Sequence, residues 1–225
     1  MKVYKNAILN KSLLIYFISF SLALLGSTGF FLILPPYLES LHFSKEYVVM
    51  VLTVYGASDL ISRYLVGLVL DRGWFTVHIF YSVSMAIGGI LGIIIIVVNN
   101  EVLYFVIAVI YAIFPGALFQ CRPLMIVTVG QLEDLPSVFA LLGLFSKATV
   151  MIGFPLLGLL EDWTGMWHAS IYSTSGLMFV AAALVVIERI LVNRRSNHLK
   201  RTDVCQHGNS DHSETHVMME HEDGH

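Results

Sequence analysis

Asp59 and Arg63 are the residues of this sequence whose types and spacing first suggest chemistry. They stand four positions apart in a stretch that is otherwise largely apolar, so a helix would place both side chains on the same side. A guanidinium binds a carboxylate through parallel N–H groups, and a neighbouring carboxyl group can take up and release a proton. The pair therefore predicts either that Arg63 binds an organic anion while Asp59 couples a proton, or that a self-neutralised pair only ties one helix to its neighbours.

Two further cations, Arg122 and Lys147, also lie within apolar stretches. A charge at the centre of a membrane-spanning helix costs about 2.5–3.5 kcal/mol on insertion scales, so these groups should line a cavity or pair with an acid. Tyr55 falls on the same helical arc as the Asp/Arg pair, and Phe119 shares a face with Arg122. We expect Tyr55, Phe119, Arg122 and Lys147 to bind substrate together with Arg63. The alternatives are that Arg122 extends towards lipid head groups and that Lys147 is a structural tie.

The composition places these residues in a membrane. The 225 residues are 56% hydrophobic and 13% charged, whereas soluble domains are about 45–50% apolar and about 25% charged. A formal net charge of −3 and two cysteines exclude a nucleic-acid-binding protein and a disulfide scaffold. The sequence contains no nucleophile triad, phosphate-binding loop or metalloprotease motif, so we expect neither an enzyme nor a bound cofactor.

Six apolar stretches are each long enough to cross a bilayer, which takes about 20 helical residues. They fall at roughly 12–37, 47–70, 75–98, 102–130, 136–160 and 166–191. The short connections between them require consecutive helices to run antiparallel. Residues 12–192 are therefore predicted to form an all-α bundle of six transmembrane helices, after an N-terminal segment at 1–11 and before a disordered, acidic and histidine-rich tail at 193–225.

The distribution of basic residues predicts the orientation of this bundle. With both termini in the cytoplasm, nine basic residues lie on the inner side and Lys45 alone lies outside. Positively charged loops stay on the cytoplasmic side of a membrane, so this topology is strongly favoured. The histidines of the tail could bind zinc or copper weakly, but their spacing in a solvated segment predicts no defined metal site.

Several segments resemble the monocarboxylate transporters of the major facilitator superfamily. Residues 55–63, Tyr-Gly-Ala-Ser-Asp-Leu-Ile-Ser-Arg, followed by Gly67, are similar to that family's eighth span, which carries an Asp and an Arg four apart before a glycine. Residues 137–144 and 153–165 resemble its eleventh span and the turn that closes it. Tyr64 departs from the pattern, because the family usually has proline directly after the arginine. The resemblance covers about residues 12–190 and corresponds to the C-terminal six-helix half.

The resemblance implies a secondary transporter of the plasma membrane that moves a small organic anion, such as a monocarboxylate, with a proton as coupling ion. Superfamily transporters contain two six-helix bundles, which implies a second copy or a full-length relative as partner. Some family members also need a single-span immunoglobulin-type glycoprotein to reach the cell surface. The alternative is a truncated, non-transporting isoform or fragment that acts as a membrane interaction or regulatory protein.

Overall fold

A computed structural model describes the backbone of residues 11–73, 75–98, 100–116, 118–128 and 135–222, and within these ranges the side chains from residue 12 to residue 194. These residues are almost entirely helical. The helices, in chain order, are α1 (Lys11–Ser40), α2 (Lys45–Asp71), α3 (Val77–Val97), α4 (Glu101–Gly116), α5 (Leu118–Val127), α6 (Leu135–Thr164) and α7 (Trp167–Glu222).

The six predicted membrane spans are confirmed. Helices long and apolar enough to cross a bilayer cover Ser12–Ser40, Lys45–Asp71, Val77–Val97, Glu101–Val127, Leu135–Thr164 and Trp167–Arg194. The chain divides into two compact units, Met1–Val186 and Ile187–His225. The candidate site described below lies entirely in the first unit.

Capping residues and glycines explain why the helices begin and end where they do. Ser44 caps the start of α2, and its hydroxyl accepts a hydrogen bond from the Tyr47 backbone N–H at 3.3 Å. Gly73 and Gly165 have φ values of +67° and +65° at the turns after α2 and α6. Glycine adopts this left-handed conformation without a Cβ penalty, so the chain can reverse direction within a few residues.

The fourth span contains two prolines. It covers Glu101–Val127 and is described as α4 before residue 117 and α5 after it, with Pro115 inside α4 and Pro123 inside α5. Proline removes a helical hydrogen bond and clashes with the preceding turn, which favours a kink. Pro115 and Gly116 line the wall that faces the Asp/Arg pair of α2.

The spans differ greatly in how much of their surface the rest of the protein covers. The most apolar window of α1 is 72% buried, whereas those of α2 and α6 are 17% and 22% buried. Helix α1 is thus the core of the bundle, α6 packs mainly on α1, and α2 packs mainly on α4. The two most exposed spans carry Asp59 and Arg63 on α2 and Lys147 on α6.

The predicted disorder of the tail at 193–225 stays a prediction. Residues 193–222 continue α7 as helix, within the unit Ile187–His225. Extending an existing helix costs far less than nucleating one. The sequence from 193 to 222 contains no proline and a single glycine, Gly208, so it offers little to stop a helix that begins in the sixth span.

Candidate functional site

The predicted pair on α2 forms an ion pair. Arg63 donates from Nε and Nη2 to the same oxygen of Asp59, Oδ2, at 3.1 Å and 2.8 Å. The other oxygen, Oδ1, accepts no hydrogen bond from any residue that the structure describes. The carboxylate therefore holds the guanidinium through one oxygen and keeps a second oxygen free to accept a proton.

The Arg63 guanidinium lies over the ring of Phe119. The centre of its ring lies 4.6 Å from the Arg63 guanidinium carbon, within the range of a cation–π contact. The ring belongs to α5 of the fourth span, about one helical turn after Pro115 of α4. Arg63 is thereby held between a carboxylate of its own helix and an aromatic ring of another.

Gly116 brings α4 unusually close to the carboxylate. A Cβ atom at this position would lie 2.6 Å from Asp59 Oδ1 and 2.9 Å from Ser62 Oγ. The Ser62 hydroxyl lies 2.8 Å from the Asp59 carbonyl oxygen and 3.3 Å from that of Ala112, so it joins the two helices at the same level. The sequence analysis did not identify Gly116 as a site residue. Its signal is the Pro115-Gly116 step at the end of α4.

The pair opens into a cavity of about 260 Å³. Its walls combine this single ion pair with aromatic rings and small side chains, contributed by Ser27, Thr28, Phe31, Tyr55, Gly56, Asp59, Arg63, Pro115, Gly116 and Phe119. The Tyr55 ring lies 4.9 Å from that of Phe31 and 6.3 Å from that of Tyr111, measured between ring centres. The cavity is thus mostly apolar, with its charges at one point.

Arg63 also lines a second cavity, of about 410 Å³. This cavity follows α2 towards its C-terminal end, and its other lining residues are Leu60, Tyr64, Gly67, Leu68, Asp71 and Gln120. The guanidinium consequently borders two spaces, one aromatic and one more polar.

Helix α1 supplies a wall that the sequence analysis missed. Ser27 and Thr28 line the aromatic cavity, and both hydroxyls donate to the Leu24 carbonyl oxygen. Their protons are occupied in this way, so their oxygens can only accept further hydrogen bonds. The available signal was the polar Ser27-Thr28 step within an otherwise apolar span.

Two of the predicted substrate-binding cations lie outside the aromatic cavity. Arg122 donates from Nη2 to Ser146 Oγ on α6 at 3.2 Å, and Lys147 is exposed on α6. Neither residue lines either of the two cavities. The structure therefore brings together Tyr55, Asp59, Arg63 and Phe119, while substrate binding by Arg122 and Lys147 stays a prediction.

No metal-binding cluster of three or more His, Cys, Asp or Glu side chains exists among the side chains that the structure describes. The tail histidines, from His198 to His225, lie outside those side chains.

The family model described as Major Facilitator Superfamily matches residues 16–206, which is most of the chain, and the match overlaps all six spans. Each half of such a transporter contains six transmembrane helices, the number that the described residues contain. No individual curated protein matches the chain significantly.

Proposed function

Because the chain belongs to the major facilitator superfamily, whose members are transporters of small solutes rather than enzymes, we propose that it carries a small organic anion, such as a monocarboxylate, across the membrane together with a proton. The observation that carries the proposal is the Asp59–Arg63 pair at the wall of the aromatic cavity. A cation that is already neutralised within its own helix can exchange one carboxylate for another at little net electrostatic cost.

Arg63 provides the binding group. A guanidinium has five N–H donors, of which two are directed at Asp59 Oδ2. The remaining donors leave a planar edge that can hold both oxygens of a substrate carboxylate. The contact with Phe119 limits the movement of the guanidinium, which reduces the freedom that is lost when the anion binds.

Asp59 provides the coupling group. While the pair is charged and empty, its net charge is zero, and a bound monocarboxylate would make it −1. Protonation of the free oxygen Oδ1 restores neutrality and weakens the hold of Asp59 on Arg63. In surroundings of low dielectric constant an uncompensated charge has a high free energy. The anion and the proton therefore bind best together.

The aromatic wall supports a small substrate with an apolar body. Phe31, Tyr55 and Phe119 offer surface to pack against, and the volume of about 260 Å³ lies just below the range of about 300–1,000 Å³ that is usual for drug-sized ligands. The Ser27 and Thr28 oxygens could accept a hydrogen bond from a hydroxyl group of the substrate, as in a 2-hydroxy acid.

Transport also needs a second six-helix bundle, because superfamily transporters alternate access by rocking two bundles about a site between them. We propose that a second copy of the chain or a longer relative covers the exposed faces of α2 and α6. We further propose a plasma-membrane location with both termini in the cytoplasm, on the basis of the basic-residue count.

The test is uptake of labelled lactate and pyruvate into proteoliposomes under an inward proton gradient. We expect gradient-driven uptake that is lost in Arg63→Gln and strongly reduced in Arg63→Lys, because an ammonium cannot form the planar fork. The matched control is Lys45→Gln, which removes an exposed cation at the start of the same helix and should transport normally.

Two results would contradict the proposal. One is equal uptake by the purified protein and by Arg63→Gln. The other is no uptake of any organic acid under any gradient together with co-purification of a longer relative, which would favour the regulatory alternative.

A further inference from the structure

Arg122 carries a positive charge inside the bundle that no described acid neutralises. Its side chain is partly buried on α5, and it forms no ion pair with any residue whose side chain the structure describes. Its single hydrogen bond there goes from Nη2 to Ser146 Oγ, and its Nε atom is buried without a partner. Buried N–H groups are almost always satisfied in folded proteins, so an unsatisfied one calls for a missing acceptor.

A directed chain of hydrogen bonds positions this guanidinium. The Ser21 hydroxyl donates to the Phe17 carbonyl oxygen at 2.7 Å, which uses the only proton of that hydroxyl. In the contact of 3.2 Å between Ser21 Oγ and Ser146 Oγ, Ser146 must then be the donor. The free lone pair of Ser146 accepts from Arg122. Helices α1 and α6 thus hold the guanidinium by one nitrogen and leave its other donors available.

This arrangement is separate from the aromatic cavity. Arg122 follows Phe119 by about one helical turn on α5, and Arg122, Ser146 and Ser21 line neither of the cavities that Arg63 borders. The two cations also differ in charge balance, since Arg63 has Asp59 as a counter-ion within its own helix and Arg122 has no described counter-ion.

We propose that Arg122, positioned by Ser146 and Ser21, is a second anion-binding site that takes a singly charged oxyanion. A planar guanidinium with several free donors favours a ligand that presents two oxygens. The carboxylate of a soluble organic acid and the phosphodiester of an anionic lipid share this chemistry. The inference does not rest on the proposed transport function, because it concerns binding and is tested by binding.

The experiment uses the full chain in nanodiscs of zwitterionic lipid. The thermal unfolding midpoint is measured as sodium acetate is added, and sodium chloride of equal ionic strength is the control. A ligand that binds the folded state raises this midpoint. All variants are made in an Asp59→Asn/Arg63→Gln background, which silences the first site while keeping it neutral. A parallel arm replaces acetate with a titrated fraction of phosphatidylglycerol in the nanodisc.

We expect the half-saturating concentration of the active probe to rise about tenfold or more in Arg122→Gln, the size expected for losing hydrogen bonds to a charged group. Ser146→Ala should weaken binding by a smaller factor, and Ser146→Thr should restore it. If Arg122→Gln does not fold, it is replaced by Arg122→Lys. Lysine keeps the positive charge but loses the planar arrangement of N–H donors. An Arg122-dependent response to acetate, or to phosphatidylglycerol alone, supports the site and identifies the source of the oxyanion.

Two results would overturn the inference. The first is a response to both probes that is the same with and without the Arg122 substitution. The second is acetate binding at Arg122 that appears only in Glu133→Gln/Asp134→Asn, because Arg122 would then be neutralised by an acid of the α5–α6 connection.

Discussion

Gly116 gives the sharpest test of the site, because it allows α4 to touch the Asp59 carboxylate. The Cβ of an alanine would lie 2.6 Å from Asp59 Oδ1, whereas ordinary van der Waals contact begins near 3.4 Å. Gly116→Ala therefore forces the carboxylate away from α4 unless the helices themselves separate. We predict that this single methyl group disturbs the ion pair without touching Arg63.

The size of the effect follows from the distances. To reach ordinary contact, Oδ1 must move from 2.6 Å to about 3.4 Å from the new Cβ, a shift of about 0.8 Å. If Oδ2 moves by a similar amount away from Arg63, its bond of 2.8 Å to Nη2 exceeds the limit of about 3.2 Å for a good N–H···O hydrogen bond. Overpacking of this kind costs about 1–3 kcal/mol, which corresponds to a loss of about 5- to 150-fold in uptake rate if it falls entirely on the site.

The assay is the initial rate of proton-driven lactate uptake, with the thermal unfolding midpoint recorded for each variant. Gly89→Ala is the control for overpacking, because its Cβ would lie 2.9 Å from the Phe179 ring, away from the cavity. Gly143→Ala is the control for the substitution alone, because no atom of the described residues lies within 4 Å of the added Cβ. We expect Gly116→Ala to lose uptake and both controls to retain it.

The reasoning is refuted if Gly116→Ala transports as well as Gly143→Ala while remaining folded. It is also refuted if Gly89→Ala loses as much uptake as Gly116→Ala at the same unfolding midpoint, since the loss would then reflect general overpacking.

Four further outcomes are expected. Asp59→Asn cannot titrate, so anion exchange should persist while acceleration of uptake by a pH gradient disappears; a retained gradient effect would contradict the coupling role. Phe119→Leu removes a cation–π contact worth about 0.5–1 kcal/mol, so the half-saturating substrate concentration should rise about 2- to 5-fold; an unchanged value would show that the ring contributes nothing. On intact cells an impermeant maleimide should label Lys45→Cys but not Arg72→Cys, and the reverse pattern would invert the proposed topology. Deleting residues 196–225 should leave carboxylate uptake unchanged, and loss of uptake would give the tail a role in transport.

The architecture was predictable because the bilayer determines the length of each element. The second span was predicted at about 47–70 and is Lys45–Asp71, since about 20 residues must cross the hydrocarbon and a cap or glycine ends the helix beyond it. The bilayer sets no such length for the tail. Composition favours disorder for residues 193–222, which the structure assigns to the continuation of α7, and the disorder stays a prediction.

The local part of the site was predictable and the non-local part was not. The contact between Asp59 and Arg63 follows from a spacing of four on one helix, which requires no knowledge of neighbouring helices. The approach of Gly116 and the wall of Ser27 and Thr28 depend on how α4 and α1 pack against α2, and sequence spacing carries no information on that. Arg122 illustrates the same limit, because its side chain reaches Ser146 of α6 rather than the cavity of Arg63.

Charge neutrality explains how the proposed pair could couple two ligands without a separate device. The empty pair of Asp59 and Arg63 is neutral, and so is the pair with an anion on Arg63 and a proton on Asp59. The states that hold only the anion or only the proton carry one net charge, and moving such a charge through surroundings of low dielectric constant is costly. The empty and fully loaded states therefore reorient more easily than the half-loaded ones. On this mechanism the one-to-one ratio of proton to anion follows from a single ion pair on one helix, since the same carboxylate both neutralises the cation and accepts the proton.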